Sequence, residues 1–141
     1  MPTRKASAVW EGGLGAGSGT FRGETGAVQG RYTAGSRFAD EEGSNPEELL
    51  GAAHAACFSM AFAGQLEKNG HPPRRIRTEA ACTVEKIGDG YTITTMRLKT
   101  LADVPGIDAG KFQELATAAK DGCPVSRALA GLTIEVEASL E

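Results

Sequence analysis

Cysteine and histidine are scarce in this chain. Its 141 residues include three cysteines, Cys57, Cys82 and Cys123, and two histidines, His54 and His71. A small, odd number of cysteines without a Cys-x-x-Cys pair does not build the disulfide framework of a secreted protein. The same residues give no recognisable zinc spacing. We therefore expect neither a bound metal nor a bound cofactor.

An excess of basic charge is also lacking. The chain carries 15 lysines and arginines against 18 acidic residues, a net charge of −3, whereas nucleic acids and anionic membranes require a basic face. The N-terminal stretch MPTRKASAVW has no apolar core of a signal peptide. The apolar run at 49–66 is marginal for a membrane span and is interrupted by His54, Ser59 and Gln65. We expect a cytoplasmic protein with no membrane or nucleic-acid partner.

The length predicts one domain over residues 1–141. Hydrophobic residues make up 40% and charged residues 23%, as in ordinary globular proteins. The first third is rich in glycine but contains neither GxGxxG nor a P-loop, so it gives no support for a phosphate site. Three short strands near 6–11, 20–24 and 28–33, separated by glycine turns, indicate a β-meander, and a polar loop follows at 34–44.

One long helix is predicted for the segment NPEELLGAAHAACFSMAFAGQLEKNG. Asn45 suits the N-cap, Pro46 the first helical position and Glu48 the third position of a capping box. Lys68 and Gly70 are typical of a helix end. About 24 residues give a helix of roughly 36 Å, longer than one face of so small a domain. Because it is apolar almost all round, we expect a second copy of the chain to cover it.

Strand signals resume after this helix. The alternation in IRTEAACTVEK predicts a strand, and the turn GDG leads into a second strand to form a hairpin. The alternation shifts phase between Ile93 and Met96, which indicates a bulge. An amphipathic helix in DAGKFQELATAAKDG, a short helix in CPVSRALAG and an alternating strand in LTIEVEASL follow. This order indicates an α+β fold.

The three cysteines differ in their predicted surroundings. Cys82 lies on the inward face of a strand and is interpreted as a small buried hydrophobe. Cys123 precedes Pro124 at a predicted helix start, where free N–H groups favour a thiolate, so structural and functional roles both stay open. Cys57 lies in apolar surroundings, which raise a thiol pKa. A reactive Cys57 therefore needs a positive partner.

Three residues are candidate partners of Cys57. Arg37 stands alone in the loop GSRFADEEG and would favour ionisation of a nearby thiol, and Glu47 or Glu48 could hold it. Arg37 as a surface charge and both glutamates as ordinary first-turn residues remain alternatives. His54, one helical turn before Cys57, is interpreted as a core histidine, with a role as catalytic base as the alternative.

Two segments of the sequence resemble a known protein family. The chain resembles the OsmC/Ohr family of thiol peroxidases in the segment GSRFADEEGSNPEELLGAAHAACFSMAFA and in the later segment GCPVSRAL. The residues of these segments are closer to the OsmC branch than to the Ohr branch. The resemblance implies an α+β fold with antiparallel sheet regions packed around a long central helix, in an intertwined homodimer. It implies Cys57 as the peroxide-attacking cysteine, Cys123 as the resolving cysteine, and Arg37 with Glu47 as the activating pair. It also implies reduction by a dithiol, such as a lipoylated protein.

The sequence therefore predicts a cysteine peroxidase that reduces organic hydroperoxides, and hydrogen peroxide less well. Apolar surroundings favour organic substrates because burial contributes about 0.8 kcal/mol per CH₂. In this prediction Cys57 becomes a sulfenic acid and Cys123 condenses with it to a disulfide that a dithiol reduces. Two alternatives stay open: another cysteine-nucleophile enzyme with His54 as its base, and a non-catalytic, stress-related binding dimer.

The position of Glu47 bears on how a site would be assembled. Glu47 and Cys57 are ten residues apart on one predicted helix, roughly 15 Å along its axis. A glutamate side chain hardly spans that distance within one chain. We therefore expect Glu47 to come from the partner chain, and leave open whether Arg37 does the same.

Overall fold

A three-stranded antiparallel meander begins the chain, as the glycine-separated strand signals predicted. Its strands, in the order β1-β2-β3, are β1 (Ala6–Glu11), β2 (Ser18–Gly23) and β3 (Gln29–Tyr32). Gly19 pairs with Tyr32 across β2 and β3. A Cβ atom at Gly19 would lie 2.6 Å from the Tyr32 ring, so a glycine is needed for the ring to pack against the sheet.

The computed structural model describes residues 1–141. These residues form two compact units, Met1–Leu49 and Leu50–Glu141. The meander belongs to the first unit. The expectation of one domain over the whole chain stays a prediction.

A short helix, α1 (Ala34–Phe38), follows the meander. The prediction of a polar loop was wrong for these residues. Thr33 Oγ1 accepts the Ser36 N–H at 3.0 Å, and Ser36 Oγ accepts the Thr33 N–H at 2.8 Å. This reciprocal pair is a capping box with serine in place of the usual glutamate or glutamine. A helix of one turn has no apolar periodicity to reveal it.

The long helix α2 spans Pro46–Lys68, as predicted. Asn45 Oδ1 accepts the Glu48 N–H at 2.8 Å and so caps the helix start. The Glu48 carboxylate accepts a hydrogen bond from the Ser44 hydroxyl, so the predicted reciprocal half of the capping box is not made. At the other end Gly70 has φ 84°, the left-handed conformation typical of the residue after a helix.

The second unit contains a three-stranded mixed sheet in the order β4-β5-β6. Its strands are β4 (Arg75–Ile87), β5 (Gly90–Asp103) and β6 (Thr133–Leu140). β4 and β5 form the predicted antiparallel hairpin, and the register shift between Thr83 and Val84 is the bulge that the phase change indicated. β6 pairs with β5 in parallel, whereas only antiparallel sheet regions were expected.

The parallel pairing of β5 with β6 requires a crossover connection. Helices α3 (Ala109–Gly122) and α4 (Pro124–Ala128) supply it. The predicted inward face of α3 is buried. The second predicted helix ends at Ala128, before Gly131, which was expected to end it.

The core of the second unit combines α2, β5 and α3. Phe62 lies at its centre, with its ring centroid 5.7 Å from that of Phe58 and 5.2 Å from that of Phe112. The fully buried apolar residues are Phe58, Phe62, Leu66, Met96, Leu98, Ala102, Ala119 and Cys123. Cys123 is therefore part of the core, and Cys57 packs against it.

The opposite face of α2 is uncovered in the single chain. It presents small residues and one methionine: Ala52, Ala53, Ala56, Met60 and Gly64. Met60 is 77% exposed. By length and composition α2 could cross a membrane, with 28% of its most apolar window buried, but core helices meet the same criteria. Because Phe58, Phe62 and Leu66 lie in the core, we retain the expectation that α2 does not span a membrane.

Candidate active site

The structure brings Cys57 and Cys123 together. Cys57 lies on α2 and is half-buried, while Cys123 lies between α3 and α4 and is fully buried. The two side chains are neighbours, and each shifts the pKa of the other. Cys82 lies on β4, half-buried against the core, as its alternation predicted. The structure therefore places Cys57 beside Cys123, whereas Cys82 packs against the core from β4.

The backbone of Cys123 is fixed on both sides. Its N–H donates to the Ala119 carbonyl at 2.9 Å at the end of α3, and its carbonyl accepts the Arg127 N–H at 3.0 Å in α4. Pro124 occupies the first position of α4 and fits there because that position needs no N–H donor. The sharp junction of two helices therefore holds the Cys123 backbone in one place.

The two thiols differ in acidity. Burial raises the pKa of Cys57, and its contact with Cys123 raises it further, while a hydrogen bond from the Val125 N–H opposes both. Burial also acts to raise the pKa of Cys123, but hydrogen bonds outweigh it and the pKa is lowered. Those bonds come from the backbone N–H of Ser126, from Cys57, from the Ser126 side chain and from the Val125 N–H.

This asymmetry has a chemical consequence. Within the Leu50–Glu141 unit no positively charged group contributes to the shift of the Cys57 pKa. Cys57 is therefore a protonated thiol in these surroundings, as the sequence predicted for a cysteine without a positive partner. Cys123 gives up its proton more readily than Cys57, and the thiolate is the nucleophilic form of a cysteine.

His54 is engaged with a serine. Its Nε2 lies 2.7 Å from Ser126 Oγ, and its side chain is fully buried. Burial lowers the pKa of His54, so the neutral ring is favoured. The other ring nitrogen, Nδ1, is buried and has no hydrogen-bond partner. The predicted core histidine is thus present, but one of its nitrogens is unsatisfied.

Ser126 is a residue that the sequence reasoning missed. It is 6% exposed and contacts both His54 and Cys123. Its only signal in the sequence is its place three residues after Cys123 in CPVS, where the side chain of a residue in the first helical turn can reach back to the cap. The contact with His54 spans 72 residues of sequence, so no local pattern could have revealed it.

Arg37 and Glu47 form the second predicted pair. Arg37 Nη2 lies 2.6 Å from Glu47 Oε1, and Arg37 Nε donates to both carboxylate oxygens at 3.1 and 3.2 Å. The Glu47 side chain is 8% exposed and that of Arg37 34%. A bidentate contact of this kind holds a guanidinium in a fixed orientation. Of the two glutamates proposed to hold Arg37, Glu47 does so.

An apolar cavity adjoins Arg37 in the first unit. Its volume is about 240 Å³, and its lining is Trp10, Leu14, Tyr32, Thr33, Ala34, Arg37, Phe38 and Pro46. The Arg37 guanidinium lies 5.1 Å from the Phe38 ring centroid, within the range of a cation–π contact. The cavity therefore offers apolar walls beside one charged group.

Comparison with known proteins shows the family of the chain. The family described as OsmC-like protein matches residues 39–137. The chain belongs to the OsmC-like family. It is 45% identical to the peroxiredoxin OsmC of Escherichia coli (strain K12) over 136 residues, which cover 95% of each chain.

A second relative and a solved structure extend the comparison. The organic hydroperoxide resistance protein OhrB of Bacillus subtilis (strain 168) is 30% identical over 102 residues, 72% of each chain. An organic hydroperoxide resistance protein of Elizabethkingia anophelis has a structure that covers all of this chain. That match covers 96% of its own chain, with 25% identity and a TM-score of 0.73. The predicted OsmC-like α+β fold is thereby confirmed.

Proposed function

We infer that this OsmC-like protein is a thiol-dependent peroxidase that detoxifies hydroperoxides. The observation that carries this inference is the contact between the Cys57 and Cys123 thiols, one on a long helix and one at a helix junction. Two thiols in contact can store the two oxidising equivalents of a peroxide as a disulfide without metal or bound cofactor. The peroxiredoxin relative that covers 95% of the chain supports the same activity.

The proposed reaction has three steps. The Cys57 thiolate attacks the distal oxygen of the hydroperoxide, the O–O bond breaks, and the alkoxide takes a proton to leave as an alcohol. Cys57 is now a sulfenic acid, and Cys123 displaces its hydroxyl group to form a disulfide. A reduced dithiol, such as a lipoyl group carried on a protein, restores both thiols by exchange.

We propose that Arg37 and Glu47 activate Cys57. Attack on peroxide requires the thiolate, yet the surroundings of Cys57 in its own unit raise its pKa. A guanidinium near the sulfur lowers a thiol pKa by favouring the charged form. Arg37 suits this role because Glu47 holds it by two donors and leaves one side of the guanidinium open.

We further propose a homodimer in which the uncovered face of α2 meets its copy. Alanines and one glycine on this face allow two helices to approach closely, and Met60 would leave water. In this proposal each active site uses Cys57 and Cys123 of one chain and the Arg37–Glu47 pair of its partner, because Glu47 holds the Arg37 of its own chain. The protein works in the cytoplasm, where reduced dithiols are available.

Organic hydroperoxides are the proposed substrates, ahead of hydrogen peroxide. The apolar cavity beside Arg37 supports this choice because it can cover an alkyl or aryl group. Each buried CH₂ adds about 0.8 kcal/mol of binding, roughly a fourfold preference. The alternative of a cysteine hydrolase is less favoured, because His54, its only candidate base, is hydrogen-bonded to Ser126.

A peroxide-consumption assay with dithiothreitol tests the proposal. We expect turnover with cumene and tert-butyl hydroperoxides, and slower turnover with hydrogen peroxide at equal concentration. Absence of turnover with every peroxide would leave the cysteines with a structural role. Equal rates with all three would retain the peroxidase but remove the apolar cavity from substrate selection.

A further inference from the structure

His54, Ser126 and Cys123 form a continuous buried chain of polar contacts. His54 Nε2 lies 2.7 Å from Ser126 Oγ. Ser126 is the third residue of α4, whose N-cap is Cys123, and its backbone N–H and hydroxyl both act to lower the pKa of Cys123. His54 and Cys123 are fully buried and Ser126 is 6% exposed. The three steps of the proposed reaction give no role to His54 or Ser126.

The unsatisfied Nδ1 of His54 decides the direction of these bonds. A neutral imidazole carries its single hydrogen on one of its two nitrogens. If that hydrogen were on Nδ1, a buried N–H donor would have no partner, which folded proteins rarely tolerate, whereas an unpaired acceptor is more common. The hydrogen therefore belongs on Nε2, and His54 donates to Ser126 Oγ.

The same logic fixes the Ser126 hydroxyl. Its oxygen accepts the His54 Nε2–H, so its only hydrogen is available for the Cys123 sulfur. A hydroxyl that donates to a sulfur favours the thiolate over the thiol, because a thiolate can only accept.

We propose that His54 is a positioning residue for the resolving cysteine: it holds the Ser126 hydroxyl toward the Cys123 sulfur and thereby speeds disulfide formation. This proposal rests on the peroxidase activity inferred above. The Cys123 thiolate attacks the sulfur of the Cys57 sulfenic acid, the S–S bond forms, and the S–O bond breaks. The bonding pair leaves with oxygen as hydroxide, which takes a proton from solvent to become water.

Peroxide attack and disulfide formation depend on different cysteines. Peroxide attack occurs at Cys57, and the Ser126 hydroxyl is not among the groups that shift the Cys57 pKa. Disulfide formation needs the Cys123 thiolate, and the Ser126 hydroxyl lowers the pKa of Cys123. Loss of a hydrogen bond to a charged group corresponds to about a tenfold change or more in an equilibrium constant. We therefore expect His54 variants to slow the second step about tenfold without slowing the first, since less negative charge at Cys123 does not hinder ionisation of Cys57.

Four variants test this: His54→Leu, His54→Gln, Ser126→Ala and the double variant His54→Leu/Ser126→Ala. The glutamine side chain places an N–H donor close to the position of Nε2, so His54→Gln is expected to restore most of the rate lost in His54→Leu. The double variant is expected to be no slower than Ser126→Ala, because both changes remove one chain of bonds. Lys120, Asp121 and Arg127 line a cavity that Ser126 also borders, and they stay unchanged in every variant.

Two measurements are needed. In the full-length protein, one equivalent of cumene hydroperoxide is added, and the sulfenic acid and the disulfide are followed over time by dimedone trapping and mass spectrometry. In a Cys57→Ser background, iodoacetamide alkylation against pH gives the Cys123 titration midpoint. We expect this midpoint to rise in His54→Leu and Ser126→Ala and to stay low in His54→Gln.

The outcomes are distinguishable. Unchanged disulfide rates and unchanged Cys123 midpoints in His54→Leu and Ser126→Ala would overturn the positioning role. A His54→Gln protein no better than His54→Leu would do the same, since packing alone would then explain the loss. If the unsubstituted protein forms neither sulfenic acid nor disulfide, the peroxidase proposal fails, while the alkylation midpoints still report on His54 and Ser126.

Discussion

The Arg37–Glu47 pair and the Cys57–Cys123 pair are built in different ways. In the Met1–Leu49 unit two full charges meet, with three donor contacts of 2.6 to 3.2 Å that fix the guanidinium. In the Leu50–Glu141 unit two thiols meet among neutral donors, the N–H groups of Val125 and Ser126 and the Ser126 hydroxyl. Attraction between opposite charges orders the first pair, whereas hydrogen bonds from neutral groups order the second.

The difference shows what each unit lacks. Neutral donors are sufficient to lower the pKa of Cys123, yet they leave the pKa of Cys57 raised. The first unit holds a preorganised cation but no cysteine. Under the proposed mechanism, the attacking thiol therefore depends on charge from outside its own unit, whereas the resolving thiol does not.

The largest expected effect separates the cysteines themselves. Cys57→Ser should abolish thiol-dependent peroxide consumption, because the proposed mechanism forms the sulfenic acid at Cys57 and the remaining thiol of the pair, Cys123, is fully buried. Cys82→Ser is the matched control and should retain activity, since Cys82 lies on β4 and packs against the core. Peptide mapping after one equivalent of peroxide should show a Cys57–Cys123 bridge. A Cys57–Cys82 bridge would contradict the assignment.

The second largest effect is expected from removal of the Arg37 charge. Arg37→Ala should raise the Cys57 pKa by about one to three units and slow peroxide attack accordingly, because an opposite charge nearby shifts a pKa by that amount. The measurement is iodoacetamide alkylation of Cys57 against pH. Arg31→Ala is the control, since Arg31 is an exposed arginine of the same unit. An unchanged Cys57 midpoint in Arg37→Ala would leave Arg37 as a surface charge.

A mixing experiment asks which chain supplies Glu47. Cys57→Ser and Glu47→Ala chains, each inactive, are refolded together so that heterodimers form. One of the two sites in a heterodimer is then complete if Glu47 comes from the partner, and activity should reach about half that of the unsubstituted dimer. Heterodimers as inactive as their parents would place both residues in one chain. A fully active monomer in sedimentation would exclude a shared site.

The smallest expected effect is on stability, through His54. Burial lowers its pKa from 6.5, so below that pH the unfolded chain binds more protons than the folded one. The stabilisation is fully present above the unfolded pKa and is lost as the pH falls toward the folded pKa. We therefore expect the free energy of unfolding in urea to fall between about pH 7.5 and about pH 5. His54→Gln should show a smaller fall, and an equal fall would assign it to other groups.

The parts of the fold that the sequence predicted are those with local patterns. The inward residues of α3 recur at helical spacing, and β6 alternates along its whole length, so both could be read from neighbouring residues. α1 was missed because it is a single turn. The parallel pairing of β5 with β6 was missed because a strand's own alternation does not identify its partner or its direction.

The same distinction applies to the site. Cys123 before Pro124 and the isolated Arg37 are local signals, and Glu47 follows from the predicted helix start. The contact between His54 and Ser126 joins α2 to α4 and depends on the packing of both helices. Only a three-dimensional structure can show that these two side chains meet, and that one imidazole nitrogen is left without a partner.

The parallel position of β6 also affects the order in which the protein becomes functional during synthesis. Cys123 belongs to the crossover between β5 and β6, and that crossover has a fixed end only after β6 has paired with β5. A nascent chain therefore carries Cys57 before its resolving partner is in place. If peroxide reaches Cys57 at that stage, the sulfenic acid has no internal thiol to meet and is open to irreversible oxidation to sulfinic acid. Under the proposed mechanism, docking of the C-terminal strand therefore completes the protection of Cys57 against irreversible oxidation.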